Sequence, residues 1–399
     1  MKPHRAPRLH QRGLTLVELL VAMAISLIVT LAITNVIIIG ESQKRATSAT
    51  NEMNQSGNYA AYVLDRAIRS AGSGFTQSWN YGAFGCVLNV ARGGTKILPR
   101  ANAFDAPFAD MPKALRVAPV LLHRPAAGSD VLLIMGGNAA TGDIGRPLRT
   151  SVASDELLLD NTVGLENGDI ALLSRNGVDD CVLEQISSST ADLKTTGHER
   201  VALGGTFSAT ASADTSSLTT ALNGPDSFLS PLGRVGASNL ALQMWGVNDK
   251  RALVSYDLLQ SKDQVADTAA MQAIADGVVE LRALYGVDEN DDGKLDNWVA
   301  PDSSGYELAT MMGSADKVRR VMAIRIALLL RSNDYTRPKE LEDGSLQHIA
   351  ASQYVLFKSM PEALQSTVAV PTEGQDYRHR IVELTVPLRN ALLLPPPNP

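Results

Sequence analysis

From residue 14 to residue 40 every position is uncharged except Glu18, and most are Leu, Ile, Val, Ala or Met. These 27 residues make about 40 Å of α-helix at roughly 1.5 Å per residue. About 20 apolar residues suffice to cross a bilayer core, so the stretch predicts a transmembrane helix over 14–39. Beyond Gly40 the pattern turns amphipathic. Ala46, Met53, Ala60, Val63, Leu64, Ala67 and Ile68 recur at three- and four-residue steps, while Lys44, Arg45, Glu52, Asp65, Arg66 and Arg69 take other faces. The pattern predicts one helix over 14–70, with one half in lipid and the other packed on a head. No proline interrupts it. Gly40 and Gly57 are its internal glycines, each costing roughly 1 kcal/mol relative to Ala, and Ala71-Gly72-Ser73-Gly74 stops it.

After the helix the periodicity is that of strands. Residues 130–135, apolar after Asp130 and bounded by Gly136 and Gly137, have the pattern of a buried strand. Residues 163–174 read as a turn feeding a strand. Residues 181–186 read as its partner, with Asn176, Gly177, Asp179 and Asp180 at the hairpin tip. Residues 239–259 hold further strands. The Ala-rich stretch 264–274 predicts a helix. Over 278–285, Val279, Leu281, Ala283 and Tyr285 alternate with Glu280, Arg282 and Leu284, and 321–331 is apolar apart from Arg325 at its centre and Arg331 at its end. Residues 377–388 predict the last strand, before a proline-rich tail that cannot extend a ladder. Residues 75–128 predict an irregular connection, and the Ser/Thr/Ala/Asp-rich stretch 206–226 a mobile loop or linker. The sum is an α+β fold: a long N-terminal helix packed on an antiparallel β-sheet head with large irregular insertions.

Length and composition sharpen this picture without redirecting it. With 399 residues the chain has room for more than one core, and a net charge of −6 gives no overall nucleic-acid surface. The positive charge sits ahead of the apolar run, at Lys2, Arg5, Arg8 and Arg12. That placement keeps the leader cytoplasmic and sends everything after residue 40 across the membrane. The two cysteines, Cys86 and Cys181, then lie on the exported side, where disulfides persist. They read as a bridge or, alternatively, as two separate buried thiols. Neither belongs to a CxxC motif, so redox and zinc chemistry have no support.

The small residue at the leader junction, Gly13, precedes the apolar run, whereas an ordinary secretory signal is cut behind its apolar core. Arg12-Gly13-Leu14-Thr15-Leu16-Val17-Glu18 resembles the class III signal of type IV pilins, a family that usually has Phe where Leu14 stands. The resemblance implies that a prepilin peptidase cuts between Gly13 and Leu14 and that Leu14 becomes the N-methylated terminus. Glu18 is then the fifth mature residue and pairs with the terminal amine of a neighbouring subunit. A carboxylate in hydrocarbon costs a few kcal/mol and needs such a partner. The head resembles the PilW minor pilins in patches, at 167–174, 274–288, 321–331 and 378–390, while 75–128 and 190–235 show no family likeness. The implied divisions are a basic leader over 1–13, a helix over 14–70 and a periplasmic β-rich head over 71–399. The implied location is the inner membrane, single-pass, and then the pilus, at its tip. The implied partners are other minor pilins, the major pilin and a large tip adhesin, in support of twitching motility, adhesion or DNA uptake. The nearest alternative is a minor pseudopilin of type II secretion, and one of another class is a signal-anchored periplasmic enzyme or sensor.

Residues that carry chemistry are few. Asp288, Asn290, Asp292 and Asp296 place side-chain oxygens at alternating positions, Gly293 permits a sharp turn, and Lys294 offers a carbonyl. A Ca²⁺ ion takes six to eight such oxygens. Val299 stands where an EF-hand needs its bidentate Glu, so the run reads either as a shorter calcium loop or as a solvated acidic turn. The histidines at 4, 10, 123, 198, 348 and 379 form no HExxH and no i, i+4 pair. No nucleophile elbow, P-loop or GxGxxG occurs, and the chain reads as a non-enzyme. Trp79, Tyr81 and Phe84 read as core packing near Cys86. Arg378, His379 and Arg380 read as a solvated basic edge.

Overall fold

The computed structural model describes residues 15–74, 83–137, 145–149, 155–190, 197–209, 212–234, 240–263 and 267–390. One α-helix runs Leu16–Ser70, without the proline that would break it. The chain divides into two compact units, Met1–Glu52 and Met53–Pro399. In the first, the helix presents Leu, Ile and Val side chains outward all along 16–39, Leu16 at 75% and Val36 at 70% exposure.

In the second unit the same helix becomes one wall of a core. Met53, Ala60, Leu64, Ile68 and Ala71 are buried in one cluster with residues of three sheets. Gly57 belongs to this inner row. A Cβ there would lie 2.2 Å from Leu330 Cδ1, so the glycine lets helix and sheet approach at the cost in propensity noted above. Gly72 and Gly74, at φ 79° and 89°, end the helix. Gly72 N donates to Met135 O at 2.8 Å and Gly137 N to Ser73 O at 2.6 Å, fixing the helix end to a strand.

Among the described residues, three larger sheets and two two-stranded ones build the rest. The first has four antiparallel strands in the order Asn297–Val299, Val278–Val287, Val321–Tyr335 and Tyr377–Pro387. Its helix-facing side carries Leu281, Ile326, Leu328 and Leu330 into the main core. Its other side carries Leu284 and Leu329 into a small separate cluster, which Phe357 covers from a segment outside the sheet. The second sheet has the order Met271–Asp276, Ala252–Asp257, Leu240–Val247, Val131–Gly137, Val120–His123, all antiparallel.

A buried ion cluster joins these two sheets. Asp130, fully buried just before Val131, accepts from Arg124 Nε and Nη2 at 2.9 and 2.8 Å, from Arg282 Nη1 at 2.9 Å and from Ala283 N at 2.8 Å. Arg124 and Arg282 are themselves mostly buried. Asp130→Ala would leave both without this acceptor, a change that costs about 3 kcal/mol. The expected readout is a lower urea midpoint at unchanged m-value.

The third sheet closes on itself. Strands Asp180–Thr190, Asp169–Arg175, Ser227–Arg234, Arg146–Arg149, Glu156–Leu159 and Glu199–Leu203 pair in that order, and the last pairs back on the first. The result is a six-stranded barrel with its own interior, which includes Leu148, Leu157, Leu173, Val182, Val201 and Leu229. Strand Val87–Arg92, backed by Thr95–Leu98, attaches in parallel to the outside of Asp180–Thr190.

Two sequence expectations are corrected here. The stretch 206–226 is no mobile linker where it is described. Phe207, Ser208, Ala209, Ser212, Thr215 and Thr219 are buried, and Ser216–Leu222 is a helix that sends Leu222 into the barrel core. Glu184, fully buried in the barrel wall, holds this segment through Ala209 N at 3.0 Å and Thr219 Oγ1 at 2.6 Å. The hydroxyls that made the stretch look solvated are hydrogen-bonding groups of a packed cap. Nor is 264–274 a helix where it is described. A single 3-10 turn, Thr268–Ala270, leads into the edge strand Met271–Asp276, where ladder bonds to Ala252–Asp257 override the helix preference of alanine.

Candidate functional site

The predicted cleavage residues Gly13 and Leu14, and the aromatics Trp79 and Tyr81, lie outside the described residues. The helix start beside Gly13 and Leu14 is described. Thr15 precedes the first helical residue, and Thr15 N and Oγ1 both donate to Glu18 Oε2 at 3.1 Å, while Glu18 N donates to Thr15 Oγ1 at 3.3 Å. This is a reciprocal capping box. It satisfies two of the backbone donors that a helix start leaves open and holds the carboxylate at the positive end of the helix dipole. The charge of Glu18 alone points only to an external cationic partner. The order Thr15-Leu16-Val17-Glu18 before an apolar run carries the capping signature and marked this second role.

Behind the cap, the polar side chains of the apolar run are satisfied within the helix. Ser26 Oγ donates to Ala22 O at 2.6 Å, Thr30 Oγ1 to Ser26 O at 2.7 Å and Thr34 Oγ1 to Thr30 O at 2.8 Å. Hydroxyls bonded back four residues carry no unmet donor into lipid. Among the described residues one helix, Leu16–Ser70, is long and apolar enough to cross a membrane.

The cysteines meet. Cys86 and Cys181, 95 residues apart, form a disulfide with a Cα–Cα distance of 5.6 Å. It stands at the start of the parallel pairing of Val87–Val90 with Asp180–Leu183, which it fastens covalently. Beside it Arg116 makes a two-pronged pair with Asp179 and donates to Gly85 O. Asn89 Nδ2 donates to Asp180 Oδ1 at 3.0 Å and Cys181 O at 3.2 Å. Phe84 is buried beside Cys86.

The acidic loop is a well-capped turn between Val278–Val287 and Asn297–Val299. Asp288 accepts from Asp292 N at 3.2 Å and Gly293 N at 2.8 Å. Asn290 accepts from Asp292 N at 2.9 Å, Asp292 from Lys294 N at 2.9 Å and Asp296 from Glu289 N at 2.9 Å. Asp291, at φ 60°, takes Arg319 and Arg320 at 2.7 and 2.9 Å and so ties the loop to the helix Ala315–Arg319. Among the described residues no group of three His, Cys, Asp or Glu side chains is placed to hold a metal ion. In this arrangement the side-chain oxygens of Asp288, Asn290, Asp292 and Asp296 are taken up by backbone N–H groups of the turn itself.

The described histidines are dispersed. His198 pairs with Asp160 at 3.0 Å and His348 with Asp376 at 2.7 Å, and His379 Nδ1 lies 3.0 Å from Tyr377 O. Arg380 reaches Asn54 on the helix, so the basic edge is partly a helix anchor.

Comparison with known families finds two matches. Residues 8–34 match the Prokaryotic N-terminal methylation motif, and residues 247–390 match Type IV Pilus-assembly protein W. The first covers the capping box and most of the apolar run. The second covers all four strands of the sheet that packs on the helix, and none of the barrel. No curated protein matches the chain, and no solved structure does. An apolar N-terminal helix behind a prepilin motif is consistent with anchoring in the inner membrane, and the general partners of such a chain are a prepilin peptidase and other pilins. The N-terminal motif, the long helix and the matched sheet in one chain together support a PilW-like type IV pilin, a type IV pilus-assembly subunit.

Proposed function

We propose that the protein is a minor pilin that takes part in priming type IV pilus assembly and occupies the pilus tip, as a structural subunit with no catalytic role. The carrying observation is the barrel. It adds a second hydrophobic interior to the head outside the matched pilin sheet. A subunit inside a helical stack must fit beneath the next layer, whereas one at the end has none above it. In this reading the leader 1–13 is cytoplasmic, the helix 14–70 crosses the inner membrane over 14–39, and the head 71–399 lies in the periplasm. Peptidase cuts after Gly13, Leu14 is N-methylated, and Glu18 meets the new amine of a neighbouring subunit. The partners are other minor pilins, the major pilin and a large tip adhesin, and the outputs are twitching, adhesion or DNA uptake.

N-terminal sequencing of the exported protein is expected to begin at methyl-Leu14. An intact Met1 start, or loss of the apolar run, would overturn the reading. Deleting the gene is expected to reduce surface filaments and spare protein secretion. The reverse result would favour a pseudopilin of a type II secretion system.

A further inference from the structure

Between the edge strand Val120–His123 and the short helix Leu308–Met312 lies a cavity of about 460 Å³. Pro112, Pro301, Leu308 and Met312 give it an apolar wall. Three carboxylates stand around it, and they differ. Asp302 is neutralised by Arg124 at 3.0 Å, and Arg124 is held in turn by Asp130. Asp110 is exposed and forms no ion pair among the described residues. Glu307 accepts from Gly305 N at 2.8 Å and from Thr310 Oγ1 at 3.2 Å. Backbone N–H groups of Glu307 and Gly305 hold its carboxyl below the ordinary glutamate range, so it stays charged.

The remaining polar group is His123. Its Nε2 is buried and has no hydrogen-bond partner. Burial lowers its pKa, so near neutral pH the ring is uncharged and one of its nitrogens is an acceptor. The cavity thus joins an apolar wall to two carboxylates that form no ion pair among the described residues, Asp110 and Glu307, and to a neutral imidazole; Arg124 in its lining is already paired, and Lys317, whose ammonium favours the charged Glu307 from nearby, is bonded to Gly305 O at 2.6 Å. An anion would be repelled by this set. A purely apolar ligand would strip water from the carboxylates and return no hydrogen bond. An aliphatic chain ending in a cation satisfies both halves, which is how lysine and arginine side chains bury their stems and keep their heads in polar surroundings.

We propose that this cavity receives a lysine or arginine side chain of another pilin, its stem against Leu308 and Met312 and its head between Asp110 and Glu307. The preference for an alkyl cation stands on the cavity alone. Only the source of that cation rests on the pilin assignment.

The test uses full-length protein in lipid nanodiscs with ¹⁵N-labelled histidine, the His123 signal being assigned through His123→Gln. The probes are 1,5-diaminopentane, its neutral counterpart 1,5-pentanediol, and glutarate. The diamine is expected to shift the His123 resonance saturably, and the diol and the diacid are not. Asp110→Asn, at an exposed position, is expected to weaken the diamine roughly three- to five-fold without changing the melting profile. No saturable shift, an equal shift by the diol, or an unchanged affinity in Asp110→Asn would overturn the site. These readings do not depend on whether the chain enters a pilus. For the source, Ala309→p-benzoylphenylalanine at the exposed cavity mouth is irradiated in cells. A cross-link to a lysine- or arginine-bearing segment of another pilin supports the proposal. Diamine binding without such a cross-link would overturn the protein source in favour of a free polyamine.

Discussion

Glu18→Ala is expected to leave leader removal intact and to lower incorporation into filaments by roughly tenfold or more. Glu18 stands four residues beyond Leu14, so a peptidase that reads the Gly13–Leu14 junction would lose no contact with it. What disappears is the only charge between residues 14 and 40. A lone carboxylate at the edge of hydrocarbon is costly and repays that cost only against an opposite charge. The capping box adds a second term, because Glu18 also holds Thr15 N and Oγ1. Thr15→Ala separates the two. It removes the hydroxyl half of the cap, worth about 1 kcal/mol, and leaves the charge in place. Immunoblots of the mature form and of sheared filaments read both variants. Normal incorporation of Glu18→Ala removes the pairing argument. Equal losses in the two variants would assign the whole effect to the helix start.

The second large effect is expected at the disulfide. Replacing Cys86 and Cys181 by serine, or adding reductant, should lower head stability by about 4–5 kcal/mol, the chain-entropy value for a closure of this length. The bridge acts mainly by limiting the unfolded chain, so the folded barrel should keep its pairing to Val87–Arg92 through Asn89 and Arg116. The expected signature is a lower urea midpoint with near-native circular dichroism before the transition. An unchanged midpoint under reductant would mean that the parallel ladder alone fixes this junction.

Much of this fold was legible in the chain, and the reasons are local. The helix is one uninterrupted periodic run with two glycine stops. Strands such as Val131–Gly137, Val278–Val287 and Val321–Tyr335 are apolar enough to announce themselves. The hairpin that joins Asp169–Arg175 to Asp180–Thr190 carries Asn176-Gly177 at its tip. What the chain hid was long-range. Arg146–Arg149 and Glu156–Leu159 are four residues each and bury one or two side chains apiece. Their partners are distant in sequence, Ser227–Arg234 for the first and Glu199–Leu203 for the second. The Ser/Thr-rich cap looked like solvent-loving chain because its acceptor, Glu184, lies far away in sequence. At the N-terminus the Thr15-Leu16-Val17-Glu18 order carries the capping signature, so Glu18 combines a local bond to Thr15 with its charge. The cavity beside His123 was invisible, since its walls come from three separate stretches of chain.

One pairing has an architectural consequence. Gly137 and Leu240 are direct partners across adjacent strands, so everything from 138 to 239 leaves and re-enters the molecule at a single rung. In design terms the barrel is a cassette spliced into what would otherwise be a hairpin tip, and a two-residue turn would span the splice. Gly136 and Gly137 mark the joint, because a side chain on either would strike Ser70 O or Leu232 O. Losing this cargo would spare the chain path of the helix and the sheet, yet it would also bare the edge of Val87–Arg92 and remove Ile170, Leu172, Leu183 and Leu232 from the main core.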